Sequence, residues 1–193
     1  MKNFSDFIVE TTLNRINSHI GSSNIGMISA SRAGQSAEER KSAHHALRGD
    51  IEKAGLGYIS MKGAYTETDA AGKAHKVSEP SYMVFSRKAG DDSGHLKGFL
   101  SSTGEKYNQD SVLYKAHNDK NANLIGTTKN PHAFVKYGES HNVGEFHPNR
   151  APEFHTMLRG RGGNKAFAFE SYNVVQLPSF FNREETIIES FPL

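Results

Sequence analysis

The sequence predicts an α+β fold: a ferredoxin-like sheet in β-α-β-β-α-β order, with an added N-terminal helix and a C-terminal β-rich extension. Three observations carry this prediction. Ser36 and Glu39 have the spacing of a capping box, which opens a helix. Residues 57–65 alternate polar and apolar side chains like a half-buried strand. Residues 82–85 and 111–114 are short apolar runs on either side of a second helical pattern.

The elements before the sheet follow from periodicity. Residues 4–20 carry an apolar stripe at helical spacing, and Gly21 ends it, so we expect an N-terminal helix. Residues 25–30 are apolar and flanked by glycine, which indicates a buried first strand. The helix that starts at the capping box runs to about residue 54, with Gly55 as the residue that ends it.

The second half of the core follows the same rules. We expect a polar loop over residues 66–76, before the strand at 82–85. Asp92 or Ser93 caps the next helix, and residues 123–127 form a fifth strand that pairs with the fourth. Right-handed crossovers would then place both helices of the core on one face of the sheet.

The last third of the chain is less regular. Residues 133–137 and 142–146 suggest a hairpin, residues 152–158 a short helix, and residues 166–172 an alternating strand. The apolar residues of 174–193 show little period, so this tail either straps across the sheet or binds a partner. We favour the strap, because many apolar groups left in water would promote aggregation.

Length and composition limit the possibilities. A chain of 193 residues fits a single domain, 1–193, with the N-terminal helix at 1–21, the α/β core at 25–127 and the extension and tail at 128–193. Its 23 basic and 21 acidic residues give a net charge of +2, so the chain is not a dedicated polyanion binder. The absence of cysteine excludes disulfides, thiolate metal sites and thiol catalysis.

Targeting signals are also missing from the pattern. Asp6 and Glu10 interrupt the apolar part of the N-terminus, which is therefore not that of a signal peptide. No apolar run reaches the ~18 residues that a membrane span needs. We therefore expect a soluble, intracellular protein, of a bacterium or of whatever replicates there, with no membrane association.

Polar residues at the strand ends form the candidate site. Arg32 follows the first strand, Glu79 and Ser81 begin the third, and Gln109 and Asp110 precede the fourth. Because the first and third strands are antiparallel neighbours in the predicted sheet, Arg32 and Glu79 should meet at one edge. They would form either an ion pair that fixes the edge or part of a polar ligand site.

A second group of residues has metal-binding chemistry. Glu145, His147, Glu153 and His155 form two E-x-H pairs, with His141 nearby. The spacing matches no recognised metal signature, so we predict no metal site and keep His147, His155 and Glu145 only as weak candidates.

A third group is a basic, glycine-rich loop. Arg159, Arg161 and Lys165 could contact phosphate, since glycines expose backbone N–H groups beside the charges. The order of residues matches neither common phosphate-binding motif. A surface loop is the favoured interpretation, and contact with a nucleic-acid backbone is the alternative.

Several segments together resemble a known family. They read I-S-A-S-R, G-Y-I-S-M-K-G-A-Y, S-E-P-S-Y-M-V and K-Y-N-Q-D-S-V-L-Y, and they span residues 25–127. They resemble a family of small bacterial and tailed-phage proteins with E-x-S-[FY] and Y-x-Q-D-S strand motifs and no established activity. The resemblance implies a phage-type α/β protein, with Glu79, Ser81, Gln109 and Asp110 at the family's polar positions.

The leading hypothesis is therefore a phage-encoded, non-catalytic protein that binds a phage structural or host protein, as a minor virion component or a host-directed effector. No complete catalytic motif and no cofactor site are predicted. The alternative is an enzyme or binder for nucleotides or nucleic acid that uses Arg32, Glu79, Gln109 and Asp110. Whether the protein is an enzyme stays open at this point.

Overall fold

The computed structural model describes residues 16, 18–32, 34–68, 74–131, 133–148, 155–160 and 163–170. For residues 64–68, 74–77, 148, 155–160 and 163–170 it describes the backbone alone. Residues 16 and 18–22 are helical, so the described end of the predicted N-terminal helix is confirmed. The rest of that helix, and the tail at 174–193, lie outside the described residues.

The described residues contain two further helices and eight strands. In chain order these are β1 (Ile25–Ser29), α1 (Ala37–Lys53), β2 (Gly57–Thr68), β3 (Ala74–Phe85), α2 (His95–Lys106), β4 (Ser111–Lys115), β5 (Asn121–Gly126), β6 (Ser140–Pro148), β7 (His155–Gly160) and β8 (Gly163–Glu170).

The strands form a closed antiparallel barrel in the order β1-β3-β2-β7-β8-β6-β5-β4. The predicted α+β class is confirmed. Within the barrel, β1 lies between β3 and β4, and it is antiparallel to both. This is the neighbourhood that the β-α-β-β-α-β order predicts for the first strand, and it fixes which strand ends lie together.

Three local predictions were wrong. Residues 66–76 are not simply a loop, because β2 continues to Thr68 and β3 begins at Ala74. Residues 133–137 are not a strand: they form a loop that touches the barrel through a bridge between Gly126 and Tyr137. The helix predicted over 152–158 is contradicted by β7, whose Met157 pairs with Lys62 of β2. The conformation of these segments is set by backbone pairing across the barrel, and the side-chain pattern of the sequence does not reveal that pairing.

The sheet separates two hydrophobic cores. One lies between the sheet and the two helices: Leu47 and Ile51 of α1 and Leu96 and Leu100 of α2 belong to one buried cluster. Both helices therefore cover the same face, as predicted. The other core fills the barrel: Ile16, Ile20, Ile25, Met27, Met61, Met83, Phe85, Ala122, Leu124, Val135 and Val143.

Helix α1 begins as its sequence predicts. The Ser36 side chain accepts a hydrogen bond from the Glu39 amide, and the Glu39 carboxylate accepts one from the Ser36 amide. Gly55 follows the helix with a φ of 70°, in the left-handed region where glycine is favoured. The segment between β1 and β2 is thus set by local signals.

Helix α2 is capped by the side chain of Asp92, one of the two predicted residues, although Asp92 does not occupy the N-cap position itself. Its N-cap residue is Gly94, which has no capping side chain. Instead, Oδ2 of Asp92 accepts a hydrogen bond from the Leu96 amide, and Oδ1 accepts one from Nδ2 of Asn24. The carboxylate therefore caps the helix and ties it to the start of β1. Among the described residues, no helix has both the length and the apolar character needed to cross a bilayer.

Candidate functional site

One end of the barrel interior is polar. In β1, Ile25 and Met27 belong to the buried core of the barrel, and Ser29 continues their face of the strand. In β4, Leu113 packs against the same core and Ser111 lies on its face. Since Met27 pairs with Leu113, Ser29 and Ser111 lie at the same level of the barrel. Two hydroxyls thus replace the apolar side chains at this end.

Strand β3 contributes a carboxylate to the same end. Ser81 pairs with Ser29, and Glu79 lies two residues further along, on the face that Met83 shares. Glu79 is 4% exposed and Ser81 is 1% exposed. We refer to Ser29, Glu79, Ser81 and Ser111 as the polar end of the barrel.

A chain of hydrogen bonds links this end to the loop that follows β1. The Ser29 hydroxyl donates to the Pro80 carbonyl at 3.0 Å and accepts from the Ser31 amide at 3.0 Å. The Ser31 carbonyl in turn accepts from Nε2 of Gln109 at 3.1 Å. The ends of β1 and β3 and the start of β4 are thereby held together.

Gln109 joins neighbouring backbone segments through hydrogen bonds. Its side chain is 1% exposed, and Nε2 also donates to the Tyr107 carbonyl at 3.2 Å. Its own carbonyl accepts from the Thr127 hydroxyl at 2.6 Å, and the Thr127 amide donates to the Asp110 carbonyl at 2.9 Å. The side-chain amide of Gln109 is therefore engaged with the backbone carbonyls of Ser31 and Tyr107, and its donor group is not turned toward a ligand.

Arg32 pairs with Asp110. Nη1 of Arg32 lies 3.8 Å from Oδ1 of Asp110, and it also donates to the Asn108 carbonyl. Burial raises the pKa of the Asp110 carboxyl, and the positive charge of Arg32 opposes that shift. The expected ion pair of Arg32 with Glu79 is not the one observed. Glu79 faces the barrel interior, while Arg32 lies beyond the end of β1, beside the loop before β4.

Two buried hydroxyls at this end lack hydrogen-bond partners among the described residues. They are Oγ of Ser31 and Oγ of Ser111, in side chains that are 0% and 4% exposed. A buried hydroxyl without a partner costs about 1–3 kcal/mol, and in native proteins it usually marks a site for water or a ligand. Sequence reasoning missed Ser29, Ser31 and Ser111, although alternation within the predicted strands could have placed Ser29 and Ser111 inside.

The other candidate residues that the structure describes lie on β6, β7 and β8. Glu145 and His147 lie on β6, and His155 begins β7, where only the backbone is described. Among the side chains that are described, no three His, Asp or Glu residues form a group suited to a metal ion. Arg159 and Lys165 lie on β7 and β8, which pair up to Gly160 and Gly163. Arg161 is outside the described residues, so phosphate contact at this turn stays a prediction.

The charges of the candidate site favour one kind of ligand. Glu79 and Asp110 are carboxylates that are each 4% exposed, whereas Arg32 is the basic residue of the predicted group. Among the described side chains of the predicted group, two carboxylates against one guanidinium give a net negative formal charge, which attracts cations.

Comparisons with known proteins identify the family. The model of the "S-Adenosylmethionine lyase family" matches residues 26–170. No curated protein matches the chain. A solved phage S-adenosylmethionine lyase, in complex with S-methyl-5′-thioadenosine, is similar at 14% identity over 64% of this chain and 89% of that one, with a TM-score of 0.29.

The family match corrects the sequence-based function. The expected resemblance to proteins without an established activity was wrong, because the matching family is named for a defined reaction. The leading hypothesis of a non-catalytic binding protein, in the virion or directed at the host, was wrong for the same reason. The alternative, an enzyme that binds or processes nucleotides or nucleic acid, agrees better with the match, because the family is one of enzymes. The family model covers about three quarters of the sequence (145 of 193 residues), so the chain belongs to the S-adenosylmethionine lyase family.

Proposed function

We propose that the protein cleaves S-adenosylmethionine as a lyase, at the polar end of the barrel. The observation that carries the proposal is the family match over residues 26–170, which includes every residue of that end. The buried carboxylates support it, since the substrate bears a sulfonium and an ammonium cation against a single carboxylate.

A lyase breaks the carbon–sulfur bond without water. In S-adenosylmethionine, the α-carboxylate can attack the Cγ atom of the same methionine moiety, because the bond that forms closes a favourable ring. An oxygen–carbon bond forms, the carbon–sulfur bond breaks, and its electron pair goes to sulfur. The products are methylthioadenosine and homoserine lactone, and no proton or water is consumed.

The proposed role of the protein follows from this reaction scheme. Because the substrate supplies both nucleophile and leaving group, the protein has to hold the folded conformation and exclude water. Glu79 and Asp110 would provide the negative potential that attracts the cation. Arg32 would contact the carboxylate that attacks, and Gln109 would position Asp110 and Arg32. Ser81 would complete the wall next to Glu79.

The test is product analysis with purified protein and S-adenosylmethionine in isotopically labelled water. We expect methylthioadenosine and unlabelled lactone in equal amounts. Incorporation of the label during turnover, giving labelled homoserine from the start, would mean hydrolysis instead. Absence of cleavage by the folded protein would overturn the proposal.

Variants separate the site from the rest of the surface. Glu79→Gln keeps the shape of the side chain but removes its charge, and we expect the rate to fall by about a hundredfold or more. Asp91→Asn is the matched control, because Asp91 is an exposed carboxylate after the far end of β3. Its rate should stay within about twofold of wild type, by the general tolerance of surface positions.

A further inference from the structure

We propose that the polar end of the barrel receives the amino-acid end of the substrate, with its α-ammonium bound between the Glu79 carboxylate and the Ser111 hydroxyl. This inference rests on the proposed function and assigns a part of the substrate to a part of the site. The adenosine moiety would then lie outside the barrel interior.

The first support is the unfilled hydrogen-bonding capacity of Ser111. Its Oγ is buried and has no partner among the described residues, and the residue is 4% exposed. It lies on the inner face of β4, at the level of Ser29 on β1. The Ser29 hydroxyl is already used by the Pro80 carbonyl and the Ser31 amide. Ser111 thus has a buried hydroxyl at this level that can accept a new donor.

The second support is the charge inside the barrel. Glu79 is a carboxylate on the inner face of β3, and the core beyond it is apolar: Met83, Met27 and Leu124 are all buried there. A carboxylate in such surroundings interacts strongly with a cation, because little water screens the charge. A primary ammonium has three N–H donors, and carboxylate and hydroxyl oxygens are acceptors that match it.

A specificity follows from this arrangement. Methylthioadenosine has no amino-acid end, so the polar end of the barrel would not hold it. The adenosine part of the substrate would therefore lose its main polar anchor when the carbon–sulfur bond breaks, and this favours release of methylthioadenosine. Because Glu79 and Ser111 are each 4% exposed, this end of the barrel has to open for the substrate to enter.

The experiment compares two ligands by calorimetry on the full chain. S-adenosylhomocysteine carries the amino-acid end and is not cleaved by this route, whereas methylthioadenosine lacks it. Ser111→Ala should weaken S-adenosylhomocysteine by about tenfold or more, the effect of one lost hydrogen bond to a charged group, and leave methylthioadenosine unchanged. Ser102→Ala on α2, whose hydroxyl bonds only to helix carbonyls, is the control and should change neither affinity.

A second measurement uses the unaltered protein, in case Ser111→Ala fails to fold. Wild type should bind S-adenosylhomocysteine about tenfold or more tightly than the analogue whose α-amino group is replaced by hydrogen. Glu79→Gln should reduce that preference. Equal binding of the two ligands by wild type, or equal weakening of both adenosine ligands by Ser111→Ala, would overturn the inference while cleavage of S-adenosylmethionine stands. Loss of cleavage itself would instead remove the proposed function.

Discussion

Arg32 and Asp110 form an ion pair at one end of the barrel, with Nη1 of the arginine 3.8 Å from Oδ1 of the aspartate. Their side chains are 33% and 5% exposed, so a partly solvated guanidinium faces a nearly buried carboxylate. Burial raises the pKa of Asp110 and Arg32 only opposes that shift. A carboxylate kept in such a place contributes little to stability, which favours a functional role.

Removing that charge should therefore separate stability from activity. Asp110→Asn keeps the size of the side chain and removes the unfavourable burial of a carboxylate. We expect its melting temperature near neutral pH to be no lower than that of wild type, while methylthioadenosine production falls by about a hundredfold. Thermal denaturation and product chromatography measure the two effects. A clear loss of stability would show that the ion pair is structural.

The same variant makes a pH prediction. The pKa of Asp110 in the folded protein is raised above 3.8, so between these two values the folded state binds more protons than the unfolded state. Wild-type stability then falls as the pH rises through this window, relative to Asp110→Asn. The difference in melting temperature between the two proteins should be largest near neutral pH and should vanish below the ordinary aspartate pKa. A constant difference across the range would contradict the raised pKa.

Gln109 should be the most sensitive polar residue of this end. Gln109→Met keeps the length of the side chain but leaves the buried carbonyls of Ser31 and Tyr107 without their donor. We expect a loss of about 2 kcal/mol or more in the free energy of unfolding, from urea denaturation. Gln35→Ala removes one bond to the Arg32 amide at a partly exposed position, and should cost less than about 1 kcal/mol. Similar losses in both variants would mean that burial of Gln109 has no special role.

The sequence predicted the α+β class and the helices on one face because these depend on local signals. The capping box at Ser36, the left-handed Gly55 and the apolar face of α2 each act within a few residues. The barrel could not be predicted in the same way. Pairing of Lys62 with Met157 joins residues far apart in the chain, and nothing in the local pattern of either strand specifies its partner.

The candidate site was predicted in part for the same reason. Strand order alone placed Arg32 and Glu79 at one edge of the sheet, with Gln109 and Asp110 near them, and the structure brings Arg32 to Asp110. The prediction that Glu79 is the ion-pair partner of Arg32 was wrong. Strand order shows at which end of the sheet a residue lies, but not on which face of the sheet its side chain lies. Alternation along β3 turns Glu79 into the barrel, on the side of Met83. The role of each of these residues in binding stays a proposal until tested.

Two glycines test how closely α2 packs on β1. A Cβ on Gly26 would lie 2.2 Å from Cδ1 of Leu100 and 2.7 Å from the Leu113 carbonyl oxygen, which cannot move without disturbing β4. Gly26→Ala should destabilise the fold by about 1–3 kcal/mol. Gly98, within α2, has open space around it, so Gly98→Ala should stabilise by about 0.5–1 kcal/mol. Urea midpoints measure both, and effects of the same sign would contradict this packing.

Lys115 offers a test at the opposite end of the barrel. The residue is 4% exposed, and its Nζ donates to the carbonyl of Ile20 at 2.8 Å and to that of Ala116 at 3.1 Å. The bond to Ile20 holds the N-terminal helical segment against the end of β4. Burial lowers the pKa of the ammonium below 10.5, and Asp119 opposes that shift.

The sign of the pH dependence follows from the lowered pKa. Between the folded value and 10.5 the unfolded state binds more protons, so this group makes the fold more stable as the pH rises. The neutral amine still has two N–H donors, enough for the carbonyls of Ile20 and Ala116, so deprotonation relieves the buried charge without losing either bond. Lys115→Met has neither a charge that can be relieved by deprotonation nor the hydrogen bonds to these carbonyls. The melting temperature of wild type minus that of Lys115→Met should therefore increase from neutral pH toward the ordinary lysine pKa. A decrease over that range would mean that the ammonium is stabilised in the fold, contrary to its burial.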